Sequence, residues 1–317
     1  MTLYRQPQTR PTADTATLPC LPFSDIDSRN MPRLAAYLAA TDSRSCDYTL
    51  GGVILWADLF RYRICETEGM MLISGLMEND LSLPAFSLPL GPDENTLPRA
   101  VELLRDCGSP LHFSAIPEDR LHLFAATAPR SVQDLGRDWS DYIYPISALA
   151  TLSGNRLKRK RNHVNRFFSD HPGRSFAAMT PADAAECRSL LHFLGHDGSF
   201  IGRAEFKAVD SFLWRWAEMS EHFHGRVLRD GSGRIVSFTV GEVKDDTLHV
   251  HIEKTDHSVT GAGETINKLF CEEMLETYNR LVYVNRQDDA GDPGLRAAKE
   301  SWRPVMMLPK FNVTYIK

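Results

Sequence analysis

The sequence predicts an α+β fold of two tandem domains, each a mixed, mostly antiparallel sheet flanked by helices. Three observations carry that expectation. At 317 residues the chain is long for one domain and suits two of about 150 residues each. In the second half the hydrophobic periods run strand, two helices, three strands, helix, strand, helix, strand, and the first half reads as a weaker copy. Charge is divided too: residues 1–150 hold 12 Arg, no Lys and 19 acids, net −7, while residues 151–317 hold 24 bases and 22 acids, net +2. A boundary is therefore expected near residue 150. A disordered tail should cover 1–19, the N-terminal domain 20–150, and the C-terminal domain, with the active site, 151–317.

Each element has its own signal. In the first half, Met31–Ala40 and Leu50–Leu59 have helical spacing, Arg61–Ser74 reads as a hairpin, and Ala85–Leu90 as a strand. Leu97–Cys107 reads as a helix ended by Gly108, and Leu111–Ala115 as a strand. In the second half, Arg174–Met179 is a strand, after which Thr180 and Pro181 open a helix as cap and first residue. A second helix is expected over Ala204–His222, burying Phe212, Leu213 and Trp216. Three antiparallel strands follow, over Gly225–Arg229, Arg234–Val243 and Thr247–Lys254, joined by DGSG and KDD turns. The next helix carries Ile266, Leu269, Phe270, Met274 and Tyr278 at helical spacing. Leu281–Asn285 is a short strand, Asp292 and Pro293 begin a short helix, and Val305–Ile316 supplies the closing strands.

Composition excludes several classes. No run of 18 apolar residues occurs, so no bilayer-spanning segment is expected, and the polar first residues lack the apolar core of a signal peptide. Cys20, Cys46, Cys65, Cys107, Cys187 and Cys271 show no CxxC or CxH spacing, which disfavours zinc and a disulfide framework and suits a reducing cytoplasm.

The segment Asn155–Phe168 carries six Lys or Arg residues and no acid in a chain of net charge −5. As a helix it would place Leu157, Val164 and Phe168 on one stripe, and Lys158, Asn162 and Asn165 on a cationic, amide-bearing face. Such a face points to a polyanion: phosphates, an RNA end or an anionic lipid surface.

The order of elements resembles the GNAT (N-acetyltransferase) fold. Three segments, DYIYPISALATLSGNRLKRKRNHVNRF, HIEKTDHSVTGAGETINKLF and YVNRQDDAGDPGLRAAKESWRP, together resemble the phosphatidylglycerol lysyltransferase C-terminal-domain family. The resemblance implies a double GNAT-like fold and aminoacyl transfer from aminoacyl-tRNA, which the family's membrane-bound members make to lipid. Two positions depart from the family: Gln287 stands where glutamate is common and Trp302 where tyrosine is common.

Candidate site residues follow from these motifs. Period-two alternation sets His249, His251 and Glu253 on one strand face and Lys254 on the other; the histidines read as pocket lining or plain core rather than metal ligands. Gly261 and Gly263 precede a helix whose free N–H groups suit a phosphate, and in GNAT enzymes this loop holds the cofactor pyrophosphate. Asn285, Asp288, Asp289, Arg296 and Lys299 cluster about a strand end and a helix start, with Gln287 as a further pocket residue. Glu253 or Asp288 would take a proton, and Lys254 with nearby backbone N–H groups would face the oxyanion. Lys158, Lys160, Arg161, Asn162, Asn165, Arg296 and Lys299 would hold donor phosphates.

The expected activity is transfer of an aminoacyl group from aminoacyl-tRNA, met at its acceptor end, to an amine or hydroxyl of a lipid or small molecule. No tightly bound cofactor and no metal are expected. Acyl-CoA as donor, and a non-catalytic module binding RNA or another anion, stay open.

Overall fold

The computed structural model describes residues 21–93, 95–106 and 110–315. The tail expected over 1–19, the helix stop at Gly108 and the last residue of the closing strand, Ile316, lie outside those residues. Contacts group the chain into two units, each with a seven-stranded sheet.

The first unit contains β1 (Ser24–Asp25), α1 (Met31–Ala40), α2 (Leu50–Phe60), β2 (Arg63–Thr67), β3 (Met70–Met77), β4 (Asp80–Phe86), α3 (Thr96–Asp106), β5 (Leu111–Pro117) and β6 (Ser131–Asp134). Its sheet runs β1-β2-β3-β4-β5-β14-β6, where β14 is the C-terminal strand Lys310–Tyr315. Every described pairing in it is antiparallel except β4 with β5. α2 is apolar nearly all round and accordingly buried, and the Thr49 hydroxyl caps it by accepting from the Gly52 N–H.

The second unit contains β7 (Asp141–Pro145), α4 (Ile146–Thr151), α5 (Lys158–Asp170), β8 (Ser175–Ala178), α6 (Pro181–Leu194), α7 (Phe200–Trp214), α8 (Trp216–Met219), β9 (His224–Arg229), β10 (Ile235–Lys244), β11 (Thr247–Thr255), α9 (Ala262–Thr277), β12 (Tyr283–Asn285), α10 (Pro293–Glu300) and β13 (Met306–Leu308). Its sheet runs β13-β7-β12-β11-β10-β9-β8. The strands β9, β10 and β11 form an antiparallel meander, and β11 pairs with β12 in parallel after the α9 crossover. The two sheets thus repeat one plan: a meander, a helix, a parallel strand, then an antiparallel neighbour.

Three departures from the sequence pattern have physical reasons. The units are not cut at residue 150: the second begins at Tyr142, and Asp288–Pro293 with residues 308–315 belong to the first. Alternation in the closing segment marks β14 as a strand but does not say which sheet accepts it; β14 hydrogen-bonds to β5 and β6. The long helix expected over Ala204–His222 starts earlier, because the Ser199 hydroxyl caps it at the Gly202 N–H, and it breaks at Arg215. At α6, Thr180 and Asp183 form a reciprocal capping box, a feature whose removal costs about 1 kcal/mol.

The second core gathers Tyr142, Tyr144, Leu149, Leu157, Val164, Leu248, Val250, Phe270, Met274 and Trp302. It fixes α4, α5 and α9 against the sheet, and so sets the positions of the charged groups described next.

Candidate active site

The site arises where two central strands part. Parallel pairing of β11 with β12 runs from Thr247 opposite Tyr283 to His249 opposite Asn285, whereas β11 continues to Thr255. Past the last pairing, Arg286 donates from Nη2 to Oε1 of Glu253 at 2.8 Å, and Asn267 of α9 donates from Nδ2 to Oε2 at 3.3 Å. The Arg286 and Glu253 side chains are 13% and 18% exposed. Burial opposes the guanidinium charge, and Glu253, with Tyr144 and Cys271 behind it, outweighs burial, so Arg286 is held above its ordinary value. Trp302 is buried beside this pair, with Lys160 Nζ 4.5 Å and Arg286 Cζ 5.5 Å from its ring centroid. An indole attracts cations more strongly than a phenol, which gives the Trp at this position a role in holding both.

The other half of the site joins α5 to the start of α9. Lys160 Nζ lies 3.4 Å and His163 Nδ1 3.1 Å from Glu264 Oε1. Burial works against ionisation of Glu264, but Lys160, His163 and its own backbone N–H outweigh burial and hold its carboxyl below the usual range. The two ends of the pair differ, since burial is the larger influence on Lys160 and pulls its ammonium below its ordinary value. The Trp302 face and a second acid, Glu253, act against that burial and favour the ammonium. Gly261 caps α9 with φ at 83°, and a Cβ there would sit 2.1 Å from the His163 carbonyl oxygen. That glycine is required for close approach of α5 to α9. At Gly263 a Cβ would meet nothing nearer than 3.5 Å, so sterics do not demand glycine.

The expected phosphate-binding helix proves mixed. Lys158, Asn162 and Asn165 are exposed, together with Arg159 and Arg166. Lys160 is turned toward Trp302, and Arg161 donates to the Leu152 carbonyl at 2.6 Å, so neither belongs to the open face. The helix buries Val164 and Phe167, while Phe168 is half-buried under the Arg174 guanidinium.

Of the other candidates, Lys254 is paired with Glu205 of α7 at 2.7 Å, whereas Glu253 engages Arg286 and Asn267. His251 accepts or donates on both ring nitrogens, to Glu242 at 2.8 Å and Gln287 at 3.0 Å. Gln287 has φ at 60° and its N–H donates to the buried Asn285 side chain at 2.7 Å. These contacts fix the turn that aims Arg286. His249 is buried with its ring 6.3 Å from that of His251. Lys299 is buried and donates to the Arg286 carbonyl at 2.7 Å, while Arg296 is half-buried on the same helix. Motif and spacing do not single out Arg286, Asn267 or Glu264. Arg286 nevertheless stands inside the NRQDD motif, between the two candidates Asn285 and Gln287.

Asp288 belongs to the first unit. There the fully buried Lys310 Nζ lies 2.6 Å from Asp47, 3.0 Å from Asp141 and 3.5 Å from Asp288. Burial alone would lower the Lys310 ammonium value, and Asp141 and Asp47 drive it well above the ordinary one. The Cys46 N–H and thiol both donate to Asp141, and burial pushes that thiol up, which keeps it protonated.

One plan repeated in two sheets, with central strands that part, gives a GNAT-like fold. The chain belongs to the family described as phosphatidylglycerol lysyltransferase, C-terminal, which matches residues 38–314. Among solved structures, a conserved protein of unknown function from Bacteroides thetaiotaomicron is 26% identical with a TM-score of 0.81, the match covering 94% of this chain and 100% of that one. The structure of L-PGS from Bacillus licheniformis is 15% identical with a TM-score of 0.63, covering 90% of this chain and 91% of that one. FemX is 10% identical with a TM-score of 0.62, covering 94% of this chain and 98% of that one. At those identities the last two show the fold. No curated protein sequence matches. Among the described residues no helix is long and apolar enough to cross a membrane.

Proposed function

We propose that the chain transfers an aminoacyl group from aminoacyl-tRNA to an amine or hydroxyl acceptor, with Glu253 and Arg286 at the reacting centre. One observation carries the choice of donor. The N-terminus of α9, where a GNAT cofactor would place its pyrophosphate, already holds the carboxylate of Glu264, locked by Lys160 and His163. An incoming pyrophosphate would have to displace a paired anion from that helix end, which disfavours acyl-CoA. The exposed Lys158, Arg159 and Arg166 with Asn162 and Asn165 instead offer an open cationic surface suited to an extended polyanion.

In the reaction, the acceptor's oxygen or nitrogen forms a bond to the ester carbonyl carbon, and the bond from that carbon to the ribose oxygen breaks. The acceptor's proton passes, through Glu253 or a water it holds, to the departing ribose oxygen. Arg286 stabilises negative charge on the carbonyl oxygen, while Lys254 is paired with Glu205. Acceptor and amino acid are those of an aminoacyl transferase working in the cytoplasm, where charged tRNA is found; an anionic lipid surface is one acceptor source.

Native mass spectrometry of the purified protein, with tRNA binding measured across salt, tests the donor. Bound tRNA with affinity falling steeply as salt rises supports the assignment. Co-purified acyl-CoA, or tRNA binding indifferent to salt, would overturn it.

A further inference from the structure

We infer that the first unit carries a small-molecule site of its own, a narrow slot ending at Glu78 that takes the head of a small primary alkylammonium ion. The site is independent of the proposed transfer. The first unit repeats the parting of strands with different residues. In the second unit Arg286 and Gln287, the latter at φ 60°, follow the last parallel pairing, His249 with Asn285. In the first, Ser114 and Ala115, the latter at φ 55°, follow Phe86 with Phe113. Counted from those pairings, Leu90 and Ser114 stand where Glu253 and Arg286 stand, so the reacting pair has no counterpart. The gap is bridged instead by the buried Tyr48 hydroxyl, which accepts from the Leu88 N–H at 3.1 Å and donates to the Ala115 carbonyl at 3.4 Å.

Beside that bridge, Ser114 and Ala115 with Glu78 and Tyr62 line a cavity of about 10 Å³, room for one water-sized group. Glu78 is 4% exposed, its N–H donates to the Ser114 hydroxyl at 3.1 Å, and its Oε2 is buried without a hydrogen-bond partner. Buried polar atoms are seldom left unmatched, and an unmatched one commonly marks a place that water, an ion or a ligand completes. Charge selects among these. Lys310 alone faces Asp47, Asp141 and Asp288, and all three acids act on Glu78, so its surroundings attract a cation. Burial, then Asp47 with Asp288 and Asp141, pushes the Glu78 carboxyl well above its ordinary value against the pull of Lys310. A bound ammonium takes the place of that carboxyl proton, so the exchange leaves the charge of the slot unchanged. The mouth suits a hydrocarbon stem, because Leu76, Phe86 and the Tyr62 ring stand half-buried around it. Tyr62 is held there by stacking on Phe60 at 5.6 Å and by Gly75, where a Cβ would stand 2.6 Å from Tyr62 Cδ1. Aromatic faces favour a cation over a neutral polar group of the same size.

Ligand-observed NMR titration of the full chain with n-butylamine, n-butanol and butyltrimethylammonium tests the slot. The amine, charged at neutral pH, should bind at least about tenfold more tightly than the alcohol, the difference that one charge-assisted hydrogen bond makes. The trimethyl head is too large for a cavity of one water's size and should not bind. Glu78→Gln should weaken amine binding by about tenfold, since the amide offers no charge. Leu76→Phe, which narrows the mouth and leaves Glu78 in place, should weaken it as well, and it decides the matter should Glu78→Gln fail to fold. Equal binding of amine and alcohol, binding of the trimethyl ion, or undiminished amine binding in a folded variant overturns the site. No binding of the amine to the wild type also overturns it, and leaves water as the partner of Glu78.

Discussion

Arg286 brings a charge into a largely buried setting, and Glu253 is the acid that makes it tolerable. Breaking such a pair by removing one partner leaves the other charge uncompensated, which costs about 3–5 kcal/mol. Urea unfolding of Arg286→Met should show destabilisation of that order, and the double variant Arg286→Met, Glu253→Gln should be destabilised by less than the two single changes summed. Additive effects would mean the pair is not coupled. Glu264 gives a pH signature. Its carboxyl is depressed in the folded state, so its stabilisation is present above the unfolded value of about 4.3 and disappears as pH falls through the lower folded value. Glu264→Gln should therefore flatten part of the acid limb of the melting-temperature curve; an unchanged acid limb would contradict the assigned pairing. Neither pair is legible in sequence, because Glu264 reads as an ordinary first-turn acid and Arg286 as one charge in a charged motif. Glu253 is legible because period-two alternation picks it out on its strand.

At the scale of elements, α5 has two kinds of cation that composition cannot separate. Lys158, Arg159 and Arg166 are exposed, while Lys160 and Arg161 are engaged by Trp302, Glu264 and the Leu152 carbonyl. Replacing the exposed three by Ala should leave stability within about 1 kcal/mol and weaken tRNA binding, with the salt slope falling by roughly 0.9 for each phosphate no longer neutralised. Lys160→Ala and Arg161→Ala should instead lower the melting temperature. The reverse pattern would place the open face elsewhere. The close packing of α5 on α9 depends on Gly261, so Gly261→Ala, which drives a Cβ into the His163 carbonyl and keeps φ positive, should destabilise by about 1–3 kcal/mol in the same unfolding assay. Helix and strand positions are readable because turn chemistry and periodicity are local. The early start of α7 is hidden in the HDGSFIGR stretch, whose glycines read as loop although Ser199 supplies the cap.

For the whole molecule, the tandem plan follows from two hydrophobic patterns of one order, but the partition of strands does not. β14 comes from the far end of the chain and carries Lys310 into a first unit whose residues before 151 include no lysine. Its ammonium lies among Asp47, Asp141 and Asp288, three acids far apart in sequence, so no local pattern could reveal the cluster. Lys310→Met should strip those acids of their cation and destabilise the first unit by several kcal/mol, read as a lowered melting temperature; an unchanged one would contradict the cluster's structural role. The central claim, that the second unit moves an aminoacyl group delivered on tRNA, is tested most directly by following ester cleavage of radiolabelled aminoacyl-tRNA and of labelled acetyl-CoA in parallel, with acceptor mixtures of lipid and amine. The account predicts that the wild type transfers label from aminoacyl-tRNA, that Glu253→Gln slows this by about a hundredfold or more while tRNA stays bound, and that acetyl-CoA is not consumed. Acetyl-CoA turnover with aminoacyl-tRNA left intact would contradict it.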